Sequence, residues 1–128
     1  MKILGIGVDI IKNERIKSSI KNNNFIKRTF SSKEIAISKK LSNRTNYFSK
    51  RFAAKEAFVK SLGSGFRNGL NFKDIEILND DNGKPFYLKT KKISTIINKI
   101  FKVKKYNLFL SISDEKDYSV AFTMLQTK

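Results

Sequence analysis

Two acidic residues and one lysine stand where most of their neighbours are small or apolar. Asp9 follows two glycines in "ILGIGVDII" at 3–11, and Glu56 lies in "FSKRFAAKEAFVKSLG" at 48–63, with Lys60 four residues later. Carboxylates from two elements can hold one Mg²⁺, which usually completes its shell with water and substrate phosphate oxygens. A nearby lysine can neutralise charge that develops on a phosphate. These residues predict a magnesium-dependent site for a phosphorylated substrate.

Each part of this site also has a plainer interpretation. Glu56 and Lys60 are four residues apart on a predicted helix, where a surface ion pair contributes only about a few tenths of a kcal/mol. Gly5, Gly7 and Asp9 share one face of an alternating strand. Glycines on a strand let a neighbouring element pack closely, and Asp9 would then be an incidental polar residue. Both alternatives stay open on these residues alone.

The amino-acid composition narrows the chemistry that the chain can perform. There is no cysteine and no histidine, which excludes thiol nucleophiles, thiolate metal sites, disulfides and imidazole bases. No apolar run reaches the roughly 18–20 residues of a membrane span. The apolar N-terminal run is not followed by the small-residue cleavage site of a signal peptide. We therefore expect a cytoplasmic protein without a membrane partner, whose chemistry uses carboxylates, lysines, hydroxyls and backbone groups.

The net charge of +16 favours an acidic partner: nucleic acid, anionic lipid, an acidic protein or a phosphate-rich small molecule. A compositional bias toward Lys, Asn and Ile at solvent positions is the alternative source of this charge. Nucleic-acid binders usually rely on arginine for bidentate contacts, whereas only five of the 27 basic residues here are arginines. A basic nucleic-acid-binding module remains an alternative, because charge alone does not identify the partner.

Hydrophobic patterning predicts the elements that must position these residues. Alternation predicts strands at 3–11, 72–79, 84–89, 106–113 and 118–125, and helical spacing predicts helices at 14–22, 31–41, 48–63 and 92–101. Asn13 and Ser31 are the expected N-caps, the latter in a capping box with Glu34, and Gly63 is the expected end of the long helix. The order predicts one compact α+β domain over 1–128, with a mainly antiparallel sheet packed with a long helix.

Two motifs resemble a known enzyme family. "GIGVDIIKNERI" at 5–16 and "FAAKEAFVKSLGSGF" at 52–66 resemble the signature motifs of the holo-[acyl-carrier-protein] synthases, the small 4′-phosphopantetheinyl transferases. The resemblance continues through "FKDIEIL", "NGKP", "SIS" and "DYSVA", so that it covers nearly the whole chain. The first two motifs are jointly specific, because they match in residue identity and in separation.

This resemblance implies an activity and an assembly. The family moves the 4′-phosphopantetheine arm of coenzyme A to a serine of apo-acyl carrier protein in fatty acid biosynthesis and releases adenosine 3′,5′-bisphosphate. Asp9 and Glu56 would bind Mg²⁺, and Lys60 would lie at the reacting phosphate. Either Glu56 or a metal-bound water would deprotonate the serine. The family fold is an α+β homotrimer with active sites at subunit interfaces.

The resemblance also implies two sets of binding residues. The loop from Gly63 to Phe66 and the "GKP" at 83–85 border the coenzyme A groove of the family. The coenzyme A contacts expected here are Arg51, Lys60, Gly63, Ser64, Gly65, Lys84 and Pro85. Arg15 matches an arginine that docks the acidic carrier protein, and we expect Lys17 and Lys21 to support it. Such basic residues would steer association and make it sensitive to salt.

Two residues depart from the family pattern. Asp114 stands where family members commonly carry a histidine near the coenzyme A phosphates, and Ser64 stands where threonine is usual. Ser64 keeps the hydroxyl, so little consequence is expected there. An aspartate would repel the phosphates unless it points away or pairs with a lysine such as Lys116. A trimer that has lost catalysis is therefore a third alternative, and Asp114 is its only sequence hint.

Overall fold

The computed structural model describes residues 1–65 and 69–128. The elements follow in the order β1 (Ile3–Lys12), α1 (Asn13–Ser19), α2 (Asn23–Thr29), α3 (Ser32–Ser38), α4 (Arg44–Leu62), a 3₁₀ turn (Phe72–Asp74), β2 (Ile77–Asn79), β3 (Pro85–Tyr87), α5 (Lys91–Phe101), β4 (Tyr106–Asp114) and β5 (Tyr118–Thr127). Among the described residues, no helix combines the length and the apolar character that crossing a bilayer would need.

Both sheets are antiparallel. β5 lies between β1 and β4 in a three-stranded sheet, and β2 pairs with β3 in a separate hairpin. The turn of that hairpin is closed by Asp80, whose carboxylate accepts hydrogen bonds from the backbone N–H groups of Asn82 and Lys84. The predicted α+β class, with a mainly antiparallel sheet packed with a long helix, is confirmed.

The long helix α4 lies at the centre of the molecule. It packs against β1 and β5 on one side and against α1 and α3 on others. Its buried polar and charged side chains are as notable as its apolar ones: Ser49, Arg51, Lys55 and Ser61. The expectation of an amphipathic helix starting at residue 48 is wrong, because α4 starts at Arg44 and is enclosed by neighbours on most sides.

The glycine face of β1 is the surface that packs on α4. A Cβ atom added to Gly5 would collide with the carbonyl oxygen of Ser61, and one added to Gly7 would collide with that of Ala57. Only glycine allows backbone to approach this closely. The interpretation that these glycines admit a tightly packed neighbour is confirmed. Asp9 lies two residues beyond Gly7 on the same face of β1.

The region predicted as one helix at 14–22 contains nearly all of α1, which ends at Ser19, and the N-cap of a second helix. Asn22 caps the additional helix α2, and α1 ends before it. Asn13 does not cap α1, because its side chain donates to the carbonyl oxygens of Glu115 and Lys116 in the β4–β5 hairpin. That buried asparagine ties the start of α1 to the distant hairpin.

Two other local predictions have mixed outcomes. The capping box at the start of α3 is confirmed: Ser31 Oγ accepts from the Glu34 backbone at 3.2 Å, and Glu34 Oε1 accepts from the Ser31 backbone at 2.9 Å. Gly63 ends α4 with a φ of 75°, as expected of a helix C-terminus. The strand predicted over 72–79 is wrong in its first part, since only Ile77–Asn79 pairs with β3.

Candidate active site

Lys60 contacts Asp9 rather than Glu56. Lys60 Nζ lies 3.1 Å from Asp9 Oδ1 and donates to the carbonyl oxygen of Val8, also at 3.1 Å. The Asp9 side chain is only 15 % exposed, whereas that of Lys60 is 54 % exposed. The carboxylate is therefore set back between β1 and α4 while the ammonium group reaches solvent. A simple surface ion pair between Glu56 and Lys60 does not describe this arrangement.

Glu56 is the electrostatic neighbour of this pair. Burial raises the pKa of Glu56, and the negative charge of Asp9 raises it further, while Lys60 and Arg15 oppose the shift. Two carboxylates held near each other in a partly buried place repel, and a bound cation would relieve that repulsion. The strand and the helix thus bring together the three residues on which the sequence prediction depends.

The donor set of this site suits Mg²⁺. Within residues 1–65 and 69–128, no three acidic, histidine or cysteine side chains gather into a metal-ligand cluster. The chain would therefore supply two carboxylates, Asp9 and Glu56, and leave several positions for water and phosphate oxygens. That sharing is how Mg²⁺ is commonly bound together with a phosphorylated substrate. The residues present fit the metal.

A cavity of about 550 Å³ lies beside Glu56. The rings of Phe25, Phe52 and Phe72 line it. The ring centroid of Phe52 lies 6.1 Å from that of Phe25 and 5.4 Å from that of Phe72. Leu70, Asn71, Arg28 and Thr29 complete the lining. Sequence reasoning missed this cavity, because its walls come from α2, α4 and the turn before β2. The phenylalanines in those segments were its only signal.

The comparison with known proteins decides the family. Residues 5–123 match the model of the 4′-phosphopantetheinyl transferase superfamily. The chain belongs to this family. A holo-[acyl-carrier-protein] synthase of Pelagibacter ubique is 61 % identical over 128 residues, which is 100 % of both chains. One from Clostridium botulinum is 46 % identical over 125 residues, covering 97 % of this chain and 98 % of the relative.

Solved structures agree with this assignment. A holo-[acyl-carrier-protein] synthase from Neisseria meningitidis superposes with a TM-score of 0.88 at 34 % identity and covers 98 % of this chain and 99 % of its own. One from Bacillus anthracis, solved in complex with CoA (3′,5′-ADP), has a TM-score of 0.82 at 33 % identity and covers 100 % of both chains. The resemblance and the transferase fold predicted from the sequence are confirmed. None of these relatives supports a nucleic-acid-binding module.

The predicted coenzyme A residues of the transferase lie around the end of α4 and the β2–β3 hairpin. Gly63 and Gly65 are exposed and have positive φ values of 75° and 69°. The Ser64 hydroxyl between them is buried without a hydrogen-bond partner among the described residues. Lys84 is exposed in the hairpin turn, directly before Pro85. Phe66, the last residue of the predicted loop, lies outside the described residues.

Arg51 differs from the other predicted coenzyme A contacts because it is only 4 % exposed. Its Nη2 donates to Asn79 Oδ1 at 3.0 Å, and its guanidinium lies 4.5 Å from the ring centroid of Tyr47. Asn79 pairs directly with Pro85 in the hairpin. In the single chain, Arg51 therefore fixes the hairpin that carries Lys84 and Pro85 to the long helix.

The predicted carrier-protein residues are presented to solvent by the start of the helical region. Arg15, Lys17 and Lys21 are all exposed, while Ile16 points into the core. Arg15 is near enough to the site for its charge to lower the pKa of Glu56. Arg15, one of the predicted carrier-protein residues, thus lies near the candidate catalytic residues.

Asp114 is held by Asn46 and not by Lys116. Asn46 Nδ2, in the first turn of α4, donates to Asp114 Oδ2 at 3.0 Å. Asn46 and Lys116 both line a cavity of about 610 Å³ that also contains Lys12 and Lys17. The aspartate that departs from the family pattern is therefore bound by a neutral amide, beside a cavity that also has Glu14 and Asp117 in its lining.

Proposed function

We propose that this protein transfers 4′-phosphopantetheine from coenzyme A to a serine of apo-acyl carrier protein and releases adenosine 3′,5′-bisphosphate, in fatty acid biosynthesis. The observation that carries the proposal is the meeting of Asp9 with Lys60 beside Glu56, where the two signature motifs pack together. Full-length relatives named holo-[acyl-carrier-protein] synthase support it. We also propose that the enzyme acts in the cytoplasm.

The reaction transfers a phosphoryl-linked group by replacing one P–O bond with another. The serine oxygen forms a bond to the phosphorus of the phosphopantetheine group, and the P–O bond to the adenosine bisphosphate breaks. Glu56 is the proposed acceptor of the serine proton, because its carboxyl group lies beside the contact between Asp9 and Lys60. Lys60 supplies positive charge where negative charge moves onto the departing phosphate.

Asp9 and Glu56 are the proposed ligands of Mg²⁺. When bound, this ion would neutralise pyrophosphate charge and orient the reacting phosphorus. Asp9 also orients Lys60 before metal and substrate bind, because its carboxylate lies 3.1 Å from the Lys60 ammonium group. This contact limits the directions from which Lys60 can reach a phosphate oxygen, so that less conformational freedom is lost when substrate binds.

Coenzyme A and the carrier protein are proposed to approach from different surfaces. The proposed coenzyme A contacts are Arg51, Lys60, Gly63, Ser64, Gly65, Lys84 and Pro85. The exposed residues Arg15, Lys17 and Lys21 are proposed to dock the acidic carrier protein, so that its serine arrives beside Glu56. Charge complementarity of this kind increases the association rate more than the final affinity.

The outer face of the three-stranded sheet supports the proposal of a homotrimer. Ile6, Val8 and Ile10 are 58 %, 56 % and 64 % exposed, and Phe109 and Phe122 on the neighbouring strands are exposed as well. Val8 pairs with Phe122 across β1 and β5, which makes the apolar surface continuous. An apolar surface of this kind commonly marks a protein interface. We propose that copies of this chain cover it in a homotrimer whose active sites lie at the interfaces.

A mass-shift assay tests the proposed function. Purified protein, coenzyme A and Mg²⁺ are incubated with apo-acyl carrier protein, and the carrier is examined by intact-mass spectrometry. We expect the carrier to gain the mass of one phosphopantetheine group only when all components are present. A carrier whose mass does not change at any enzyme concentration would contradict the proposal.

A further inference from the structure

Glu34 and Lys55 form an ion pair that is fully enclosed. Lys55 Nζ lies 2.8 Å from Glu34 Oε1, and both side chains are 0 % exposed. Burying two charges costs desolvation that a pair does not always recover, so such a pair is weak as a stabilising device. The two side chains also bind backbone groups of another chain segment and hold it in place.

The pair holds the chain segment 72–77. Lys55 Nζ donates to the carbonyl oxygens of Phe72 at 3.1 Å and Ile75 at 2.5 Å. Glu34 Oε2 accepts from the backbone N–H of Ile77 at 2.9 Å. This segment has one 3₁₀ turn and only the first residue of β2, so side chains replace the regular backbone ladder.

The start of this segment forms part of the wall of the cavity beside Glu56. Phe72 lines the cavity together with Leu70 and Asn71, and its ring stacks on Phe52 at 5.4 Å. Lys55 is the residue before Glu56 in α4, so its side chain leaves the helix about 100° away from that of Glu56. Two adjacent residues of α4 thus have linked positions: Lys55 holds the segment that forms this wall, and Glu56 lines the same cavity.

We propose that Lys55 and Glu34 are positioning residues for phosphopantetheine transfer. They fix the 72–77 segment to α4 and thereby keep the cavity wall in register with Glu56. This inference rests on the proposed function. Small displacements beside reacting groups have large effects on rate, so the pair acts on kcat through Phe72 and Glu56 without contacting substrate.

The test removes both charges while it keeps the volume of the side chains. The double variant Lys55→Met with Glu34→Gln avoids the uncompensated buried charge that either single variant leaves. We expect kcat to fall about tenfold or more while the KM for coenzyme A changes less than about threefold. Hydrogen exchange at the Ile77 amide should accelerate, because the neutral glutamine oxygen is a weaker acceptor than the carboxylate and is no longer held by the Lys55 ammonium.

A matched control separates positioning from general loss of stability. Ile97→Ala removes buried volume from α5, away from the cavity. Each variant is assayed at the same number of degrees below its own Tm. The control should keep its kcat. If its kcat falls as much as that of the double variant, the positioning inference is overturned.

A conservative variant completes the test. Glu34→Asp keeps the charge but shortens the reach, so it should give a kcat between those of the wild type and the double variant. Should the double variant fail to fold, Glu34→Asp decides alone, and an unchanged kcat would overturn the inference. If the wild type shows no transfer, the proposed function fails, and unchanged Ile77 exchange in the variants would then overturn the positioning role separately.

Discussion

Lys60 Nζ lies 3.1 Å from Asp9 Oδ1, so that two residues 51 positions apart in the chain form one charged contact at the junction of β1 and α4. The contact depends on backbone packing, because Gly5 and Gly7 let the strand approach Ser61 and Ala57 closely. It places an exposed ammonium group above a recessed carboxylate.

Asp9→Asn and Glu56→Gln should each abolish most of the transfer activity. Each removes one of two proposed Mg²⁺ ligands, and metal-ion stabilisation of a phosphoryl transition state is worth several kcal/mol, or about 100-fold or more in rate. Initial rates of carrier modification measured over a Mg²⁺ titration would check this. The metal assignment is wrong if both variants keep wild-type rates at the same Mg²⁺ concentration.

Lys60→Met should lower kcat about 100-fold, while Lys60→Arg should lose less. Methionine keeps the length of the side chain and removes its charge, so charge on the phosphate is no longer stabilised. Arginine keeps the charge with a different geometry. Steady-state kinetics with varied coenzyme A would separate kcat from KM. Equal activity of the wild type and Lys60→Met would remove Lys60 from the reaction.

Glu56→Gln should stabilise the metal-free protein at neutral pH. Burial and the charge of Asp9 raise the pKa of Glu56. The contribution of this carboxyl is therefore fully present below its unfolded pKa and is lost as pH rises through its folded pKa. Because the side chain is only partly buried, the gain at pH 7 should be at most about 1 kcal/mol.

Thermal unfolding in EDTA at pH 7 and below pH 4 would check this prediction. The Tm of Glu56→Gln should exceed that of the wild type at the higher pH, and the difference should shrink at the lower pH. A variant that is less stable than the wild type at pH 7 would show that Glu56 makes a net favourable contact in the metal-free protein.

Gly7→Ala should destabilise the fold by about 1–3 kcal/mol, since an added methyl group overpacks a contact between two backbones. The new Cβ would collide with the carbonyl oxygen of Ala57 and push β1 away from α4. Gly83→Ala is the matched control, because its φ of 81° imposes strain while nothing lies within 4 Å of its Cβ. Denaturant unfolding should show a larger loss for Gly7→Ala, accompanied by loss of transfer.

Arg15→Glu should raise the KM for the carrier protein at least about tenfold and leave the KM for coenzyme A nearly unchanged. The residue is exposed on α1, and reversing its charge places like charges in the proposed interface. Lys99→Glu, on the exposed side of α5, carries the same change of net charge as a control. Similar effects of the two substitutions would indicate that only the overall charge matters.

Several local features followed from the sequence because they depend on near neighbours. The Ser31–Glu34 capping box and the end of α4 at Gly63 are set by residues within one helical turn. The motifs around Asp9 and Glu56 identified the family and the candidate site before the fold was known. Hydrophobic spacing likewise located α5 to within one residue.

Contacts between distant residues were decided only by the tertiary structure. Alternation in β1 defines two faces, but it cannot state that the glycine face packs on α4 while Ile6, Val8 and Ile10 face outward. Lys55 and Lys60 are the same residue type on one helix, yet Glu34 encloses the first and Asp9 holds the second at the surface. Spacing along a chain gives the direction of a side chain. The residues that the side chain contacts belong to elements distant in the chain, so its burial and its charge pairing are set only by the tertiary structure.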